Sequence, residues 1–112
     1  MLIVGKFYPL HAGHSLLIEH ALDSCERVTV VLLANSAESV PVEVRHRWIA
    51  ETHPRATVVS AVADHPVDYE DPAVWDLWER EIRHLLDAPV DVVFSSEEYG
   101  DELARRLDAR SE

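Results

Sequence analysis

The sequence predicts an α/β fold, a four-stranded parallel sheet flanked by helices. Three observations carry this. Short apolar runs, several of them rich in β-branched residues, recur along the 112 residues. Segments with apolar residues at helical spacing lie between them. The connections are short, and strict alternation of this kind packs as a parallel sheet with helices on both faces.

Leu2, Ile3 and Val4 form an apolar run ending at Gly5, which reads as a buried first strand. A turn-like segment with Pro9 and Gly13 follows. From His14 the residues Leu16, Leu17, Ala21 and Leu22 recur at helical spacing, so a helix is expected to about Cys25. Residues 28–34 are apolar apart from Thr29 and give the second strand. Residues 35–40 are a polar loop. Pro41 suits a helix first turn, and Val42, Arg45, Trp48 and Ile49 continue that helix to near His53 and Pro54.

Residues 56–63 give the third strand, and 64–71 an acidic loop with Pro66 and Tyr69. Pro72 opens a third helix whose apolar face is Val74, Trp75, Trp78, Ile82, Leu85 and Leu86. Residues 90–94 are the fourth strand, and 97–107 are expected to be a fourth helix. The length fits one domain spanning residues 1–112.

Composition narrows the function. A net charge of −11 argues against nucleic acid as a partner, because phosphate backbones attract basic surfaces. It leaves small anionic ligands open, since a few local donors handle them. Cys25 is the single cysteine, so an intrachain disulfide is excluded and a cytoplasmic setting is the plain expectation. Core filling at a helix end suits it better than reactivity. The opening segment is short, lacks a basic region before it and a cleavage site after it, and does not read as a signal peptide. No apolar run approaches the roughly 20 residues of a membrane span, and no membrane partner is expected.

In parallel sheets ligands bind outside the carboxyl ends of the strands. The segment Gly5-Lys6-Phe7-Tyr8-Pro9-Leu10-His11-Ala12-Gly13-His14 occupies such an end and runs into the first helix. Gly5 lets the strand end closely under a ligand. His11 and His14, three apart at a helix start, share one side of its first turn. Gly13 leaves room for a phosphate beside the backbone, and the free N–H groups of a helix start favour an anion. With Lys6, two imidazoles and an ammonium converge where charge develops on a phosphoryl group. A metal-binding histidine pair is the competing reading, but no nearby carboxylate or cysteine completes a ligand set. A structural turn holding two histidines is the other.

This segment resembles the (H/T)xGH signature of the nucleotidyltransferase superfamily. The longer string G-K-F-x-P-x-H-x-G-H is similar to that of nicotinamide-mononucleotide adenylyltransferases in bifunctional bacterial NAD-salvage proteins. The resemblance continues through Pro41 to Trp48, Asp68-Tyr69, Pro72 to Asp76, and Ser95 to Gly100, so it covers nearly the whole chain in order. It implies a Rossmann-like nucleotidyltransferase fold. It also implies adenylyl transfer from ATP to nicotinamide mononucleotide, giving NAD and pyrophosphate. His14 and His11 would hold the triphosphate and Lys6 would neutralise phosphate charge. Magnesium (Mg2+) would be held by substrate phosphates, with no protein ligand assigned.

By the same resemblance Phe7, Tyr8, Asp68, Tyr69, Trp75, Ser95, Ser96 and Glu97 line the nucleotide site. Each has a plainer reading. Trp75 belongs to a helical apolar stripe, whose usual fate is core packing. Ser95 and Ser96 suit a strand end or helix cap, and the acidic residues suit solvated faces. Arg45 and Arg47 are expected as helix-surface partners of Glu43 and Glu51. The superfamily's second signature, I-S-x-T-x-x-R, does not occur in these 112 residues. The competing functional reading is therefore a nucleotide-binding or assembly module without turnover. An open edge on the fourth strand would favour a homo-oligomer.

Overall fold

The structure is a computed structural model. It describes residues 2–5, 12–65, 68, 70–86, 89–94 and 100–111, with the backbone alone for residues 5 and 12–14. The elements follow in the order β1 (Leu2–Gly5), α1 (Ala12–Ser24), β2 (Thr29–Ala34), α2 (Val42–Thr52), β3 (Thr57–Val62), α3 (Pro72–Leu85), β4 (Val92–Phe94), α4 (Gly100–Arg106) and β5 (Arg110–Ser111). The sheet has the strand order β3-β2-β1-β4-β5, and every pairing is parallel. This is the α/β class expected, with five strands where four were expected.

Side chains that alternate along the strands divide the core into two layers. Ile3, Val30, Leu32, Val92 and Phe94 face one way and meet Ile18, Ala21 and Leu22 of α1 and Ile49 of α2. Leu2, Val31, Leu33 and Val93 face the other way, toward Trp75 and Ile82 of α3 and Leu103 and Ala104 of α4. Both faces of β1 and β2 are thus covered, which is why those strands read as continuous apolar runs. Each fully buried Leu or Ile contributes about 1.5–3 kcal/mol relative to exposure.

Local chemistry sets the helix boundaries. Pro72 takes the first turn of α3, where its missing N–H costs nothing, and the Asp71 carboxylate accepts from the Ala73 N–H at 2.9 Å. Pro41 lies one residue outside α2, as its N-cap. In α1 the buried stripe is Ile18, Ala21 and Leu22, with half-buried Cys25 packed against the same core. Leu16, expected on that stripe, is 73% exposed, because it lies two residues before Ile18 and so well round the helix.

The fifth strand follows from the end of α4. Asp108 has φ 55°, the Asp108 N–H donates to the Arg105 carbonyl at 3.3 Å, and the Ala109 N–H donates to the Ala104 carbonyl at 2.8 Å. This is a Schellman ending, with Asp108 in the left-handed position and Ala109 and Ala104 in the same apolar cluster. It turns the chain so that Arg110 and Ser111 pair with Val92 and Val93. The β4 edge expected to be open is therefore covered at those residues. Among the described residues no helix is long and apolar enough to cross a membrane.

Candidate functional site

The strand order places a switch point between β1 and β4. From β1 the chain moves by way of α1 to β2 and then β3 on one side, and from β3 it crosses back by way of α3 to β4 on the other side. Adjacent strand ends whose connections depart in opposite directions leave a crevice at the carboxyl edge. β1 ends at Gly5, and Ile3 pairs with Phe94, the last residue of β4. The segment with the two histidines follows β1 in the chain, and Ser95, Ser96 and Glu97 follow β4.

Lys6, Phe7, Tyr8, His11, Tyr69, Ser95, Ser96 and Glu97 lie outside the described residues, as does the side chain of His14, and Gly5 and Gly13 are described by their backbone alone. The backbone of Gly13 and His14 belongs to the first turn of α1. Asp68 is exposed. Its carboxylate accepts from the Glu70 N–H at 3.0 Å and its carbonyl from the Asp71 N–H at 3.3 Å, so it shapes the approach to α3. Trp75 is 8% exposed, packs in the second apolar cluster, and has the Arg106 guanidinium 5.5 Å from its ring centroid. Among the described residues no group of three or more His, Cys, Asp or Glu side chains is placed to hold a metal ion.

The neighbouring carboxyl-edge loops are fixed by polar clamps that the sequence reading missed. Asp64, just past β3, accepts from the Ser36 N–H at 2.8 Å and the Ser36 hydroxyl at 2.6 Å, tying the loop after β2 to the end of β3. The Ser36 hydroxyl and N–H, with His65 adding charge, hold the Asp64 carboxyl below the ordinary carboxylate range. Glu38 accepts from the Asn35 N–H at 2.9 Å and pairs with Arg45 at 3.0 Å, while Arg45 also donates to the Val40 carbonyl at 2.8 Å.

Arg45 corrects an expectation. It is not a surface partner of Glu43 but is 1% exposed, since Val42, Arg45 and Ile49 share one stripe of α2. The sequence marks Asp64 and Ser36 only as candidates for loop bonds and does not pair them. Both are short polar residues next to the ends of apolar strands, where such side chains bond loop backbone.

A parallel sheet in the order β3-β2-β1-β4-β5, covered by helices on both faces, is a Rossmann-like α/β fold. Comparisons with known proteins agree. The chain is homologous to part of the trifunctional NAD biosynthesis/regulator protein NadR of Escherichia coli (strain K12). The alignment is 29% identical and covers 86% of this chain and 27% of the relative.

Among solved structures, NadR in complex with NAD and AMP-PNP matches with a TM-score of 0.69 at 22% identity, covering 99% of this chain and 36% of that one. A bifunctional NMN adenylyltransferase/ADP ribose pyrophosphatase from Francisella tularensis, complexed with AMP and a Mn ion, matches with a TM-score of 0.68 at 17% identity, covering 99% and 36%. The chain thus spans roughly a third or less of the length of these relatives. No protein-family model matches it.

Proposed function

We propose that this chain forms the nucleotide-binding domain of an adenylyltransferase that joins nicotinamide mononucleotide to magnesium-bound ATP, giving NAD and pyrophosphate. The observation that carries the reading is the ten-residue segment from Gly5 to His14, which in the chain links β1, a strand at the switch point, to α1. Similarity to NadR, whose solved form holds NAD and AMP-PNP, supports the choice of nucleotides.

In the proposed reaction a phosphate oxygen of the mononucleotide attacks the α-phosphorus of ATP. The bond from that phosphorus to the bridging oxygen breaks, and pyrophosphate leaves with the electron pair. A general base is unnecessary, because a phosphate monoester is already ionised near neutral pH. The protein's part is to align the reactants and neutralise charge. His14 contacts the reacting α-phosphate, His11 holds the triphosphate with it, and Lys6 offsets phosphate charge. The magnesium is substrate-borne and takes its ligands from phosphate oxygens.

In this reading Gly5, Phe7, Tyr8, Gly13, Asp68, Tyr69, Ser95, Ser96 and Glu97 are the nucleotide-binding residues. Trp75 packs in the second apolar cluster at 8% exposure, with the Arg106 guanidinium over its ring.

The test is calorimetric titration of the chain with nicotinamide mononucleotide and, separately, with a non-hydrolysable ATP analogue plus magnesium, for wild type and His14→Ala. Binding of both, with the ATP analogue weakened by His14→Ala, is the expected result. A coupled pyrophosphate assay then separates an enzyme from a binding module, and loss of one key phosphate donor should lower turnover by about 10² to 10³. Binding of neither nucleotide overturns the proposal.

A further inference from the structure

We infer that His53 is a positioning residue for the phosphate-binding turn of α1, an inference that rests on the nucleotide-binding reading above. His53 caps the end of α2 and is 3% exposed. Its Nδ1 lies 2.6 Å from the Glu19 carboxylate and its Nε2 lies 3.1 Å from the Ser15 hydroxyl. A carboxylate only accepts, so Nδ1 carries a proton toward Glu19, while Nε2 shares a hydrogen bond with the Ser15 hydroxyl. Both prongs grip α1, one turn apart, and Ser15 directly follows His14 at the close of the first turn.

The His53 backbone is itself held at both its N–H and its carbonyl. The His53 N–H donates to the Ile49 carbonyl at 2.8 Å, and the His53 carbonyl accepts from the Ala56 N–H at 3.0 Å. The first fully buried side chain described on α1 is Ile18, and Leu16 points to solvent. Ahead of Ile18, Leu17 packs partly against the core, and the Ser15–His53 bond adds a polar lateral restraint to it at the end of the first turn. A phosphate site must be held to within about 0.5 Å to be productive, and a helix start without side contacts frays. The order hydroxyl, imidazole, carboxylate is also that of a nucleophilic triad. With the imidazole buried between two helices, a bracket is the role the geometry supports.

The experiment uses the full chain and two replacements that divide the prongs. His53→Asn presents an N–H near the Nδ1 position and keeps the Glu19 contact. His53→Gln presents an oxygen near the Nε2 position and keeps the Ser15 contact. Ser15→Ala removes that contact alone. Affinities for the magnesium-bound ATP analogue and for nicotinamide mononucleotide are measured beside thermal melting.

His53→Asn and Ser15→Ala should each weaken the ATP analogue by about threefold to tenfold, the size of one hydrogen bond's net worth, with mononucleotide affinity unchanged. His53→Gln should bind the analogue within about twofold of wild type, although it melts lower. Affinity that instead follows melting temperature across the three variants, or stays constant in all of them, overturns the positioning role alone. A wild-type chain that does not bind the analogue overturns the functional proposal and this inference together.

Discussion

The Arg106 guanidinium lies 5.5 Å from the Trp75 ring centroid, which joins α4 to α3 through a cation–π contact. The same group donates to Asp76 at 2.8 Å and Glu79 at 3.2 Å on α3, and to Glu102 at 2.7 Å on its own helix. Asp76, ahead of the other two carboxylates, raises the guanidinium's proton affinity. Arg106→Ala removes the cation that three carboxylates share, leaving Glu79 with Arg83 and Glu102 with Arg105, and uncovers the indole. The expected loss is about 1–3 kcal/mol. Arg106→Lys should recover less than half, because one ammonium cannot span a fork and cover a ring. Denaturant unfolding of the two variants checks this, and equal stability of Arg106→Lys and wild type would contradict it.

Arg45 and Glu38 form the other buried junction, at 1% and 14% side-chain exposure. Removing one partner of a buried pair leaves the other charge uncompensated, so Arg45→Ala should cost about 3–5 kcal/mol. Glu38→Gln keeps the shape and an acceptor and should cost less. In the double variant Glu38→Gln with Arg45→Met, the changes should couple by about 1–3 kcal/mol, as expected of residues in contact. Additive losses in urea unfolding would show that the pair does not act as a unit.

How far the sequence discloses this architecture depends on what each segment must bury. β1, β2 and β4 announce themselves because both faces are covered. The α3 stripe is legible because Val74, Trp75 and Ile82 recur at helical spacing and are the residues buried. β5 is invisible to pattern reading: Arg110 and Ser111 are both exposed, and their pairing is a matter of backbone alone. Arg45 occupied a core position in its helix repeat, yet charge suggested the surface, and only the tertiary partner Glu38 resolves that conflict. Trp75 fits stripe and binding pocket equally by periodicity, and the core claims it. The motif's chemistry lies in residue identity at the strand-to-helix passage. The polar brackets at Asp64 and His53 join positions 28 and 38 residues apart, which no local pattern encodes.

The Ser36–Asp64 clamp gives the loop after β2 a pH dependence of known sign. Asp64 titrates below the ordinary carboxylate range in the folded chain. Its bonds to Ser36 are therefore fully present above the unfolded carboxylate value of roughly 4, and are lost as pH falls through the lower folded value. Ser36→Ala removes the hydroxyl bond and leaves the main-chain one. An NMR titration of the Asp64 carboxyl carbon should show its midpoint rising toward the ordinary range in Ser36→Ala. Identical midpoints would mean that the hydroxyl does not carry the shift.

The turn that creates β5 rests on one backbone angle. Asp108 holds φ 55°, in the left-handed region where a β-carbon crowds the following carbonyl. A short polar side chain tolerates this, glycine accepts it freely, and alanine has neither advantage. Asp108→Gly should therefore exceed Asp108→Ala in stability by about 1 kcal/mol. The local readout is hydrogen exchange at the Arg110 N–H, which donates to the Asp91 carbonyl at 2.9 Å and marks the β4–β5 pairing. Exchange should quicken in Asp108→Ala and stay near wild type in Asp108→Gly. If both variants exchange alike, the ending of α4 does not govern the fifth strand. The pairing of Val92 and Val93 with Arg110 and Ser111 would then be held by the strands themselves.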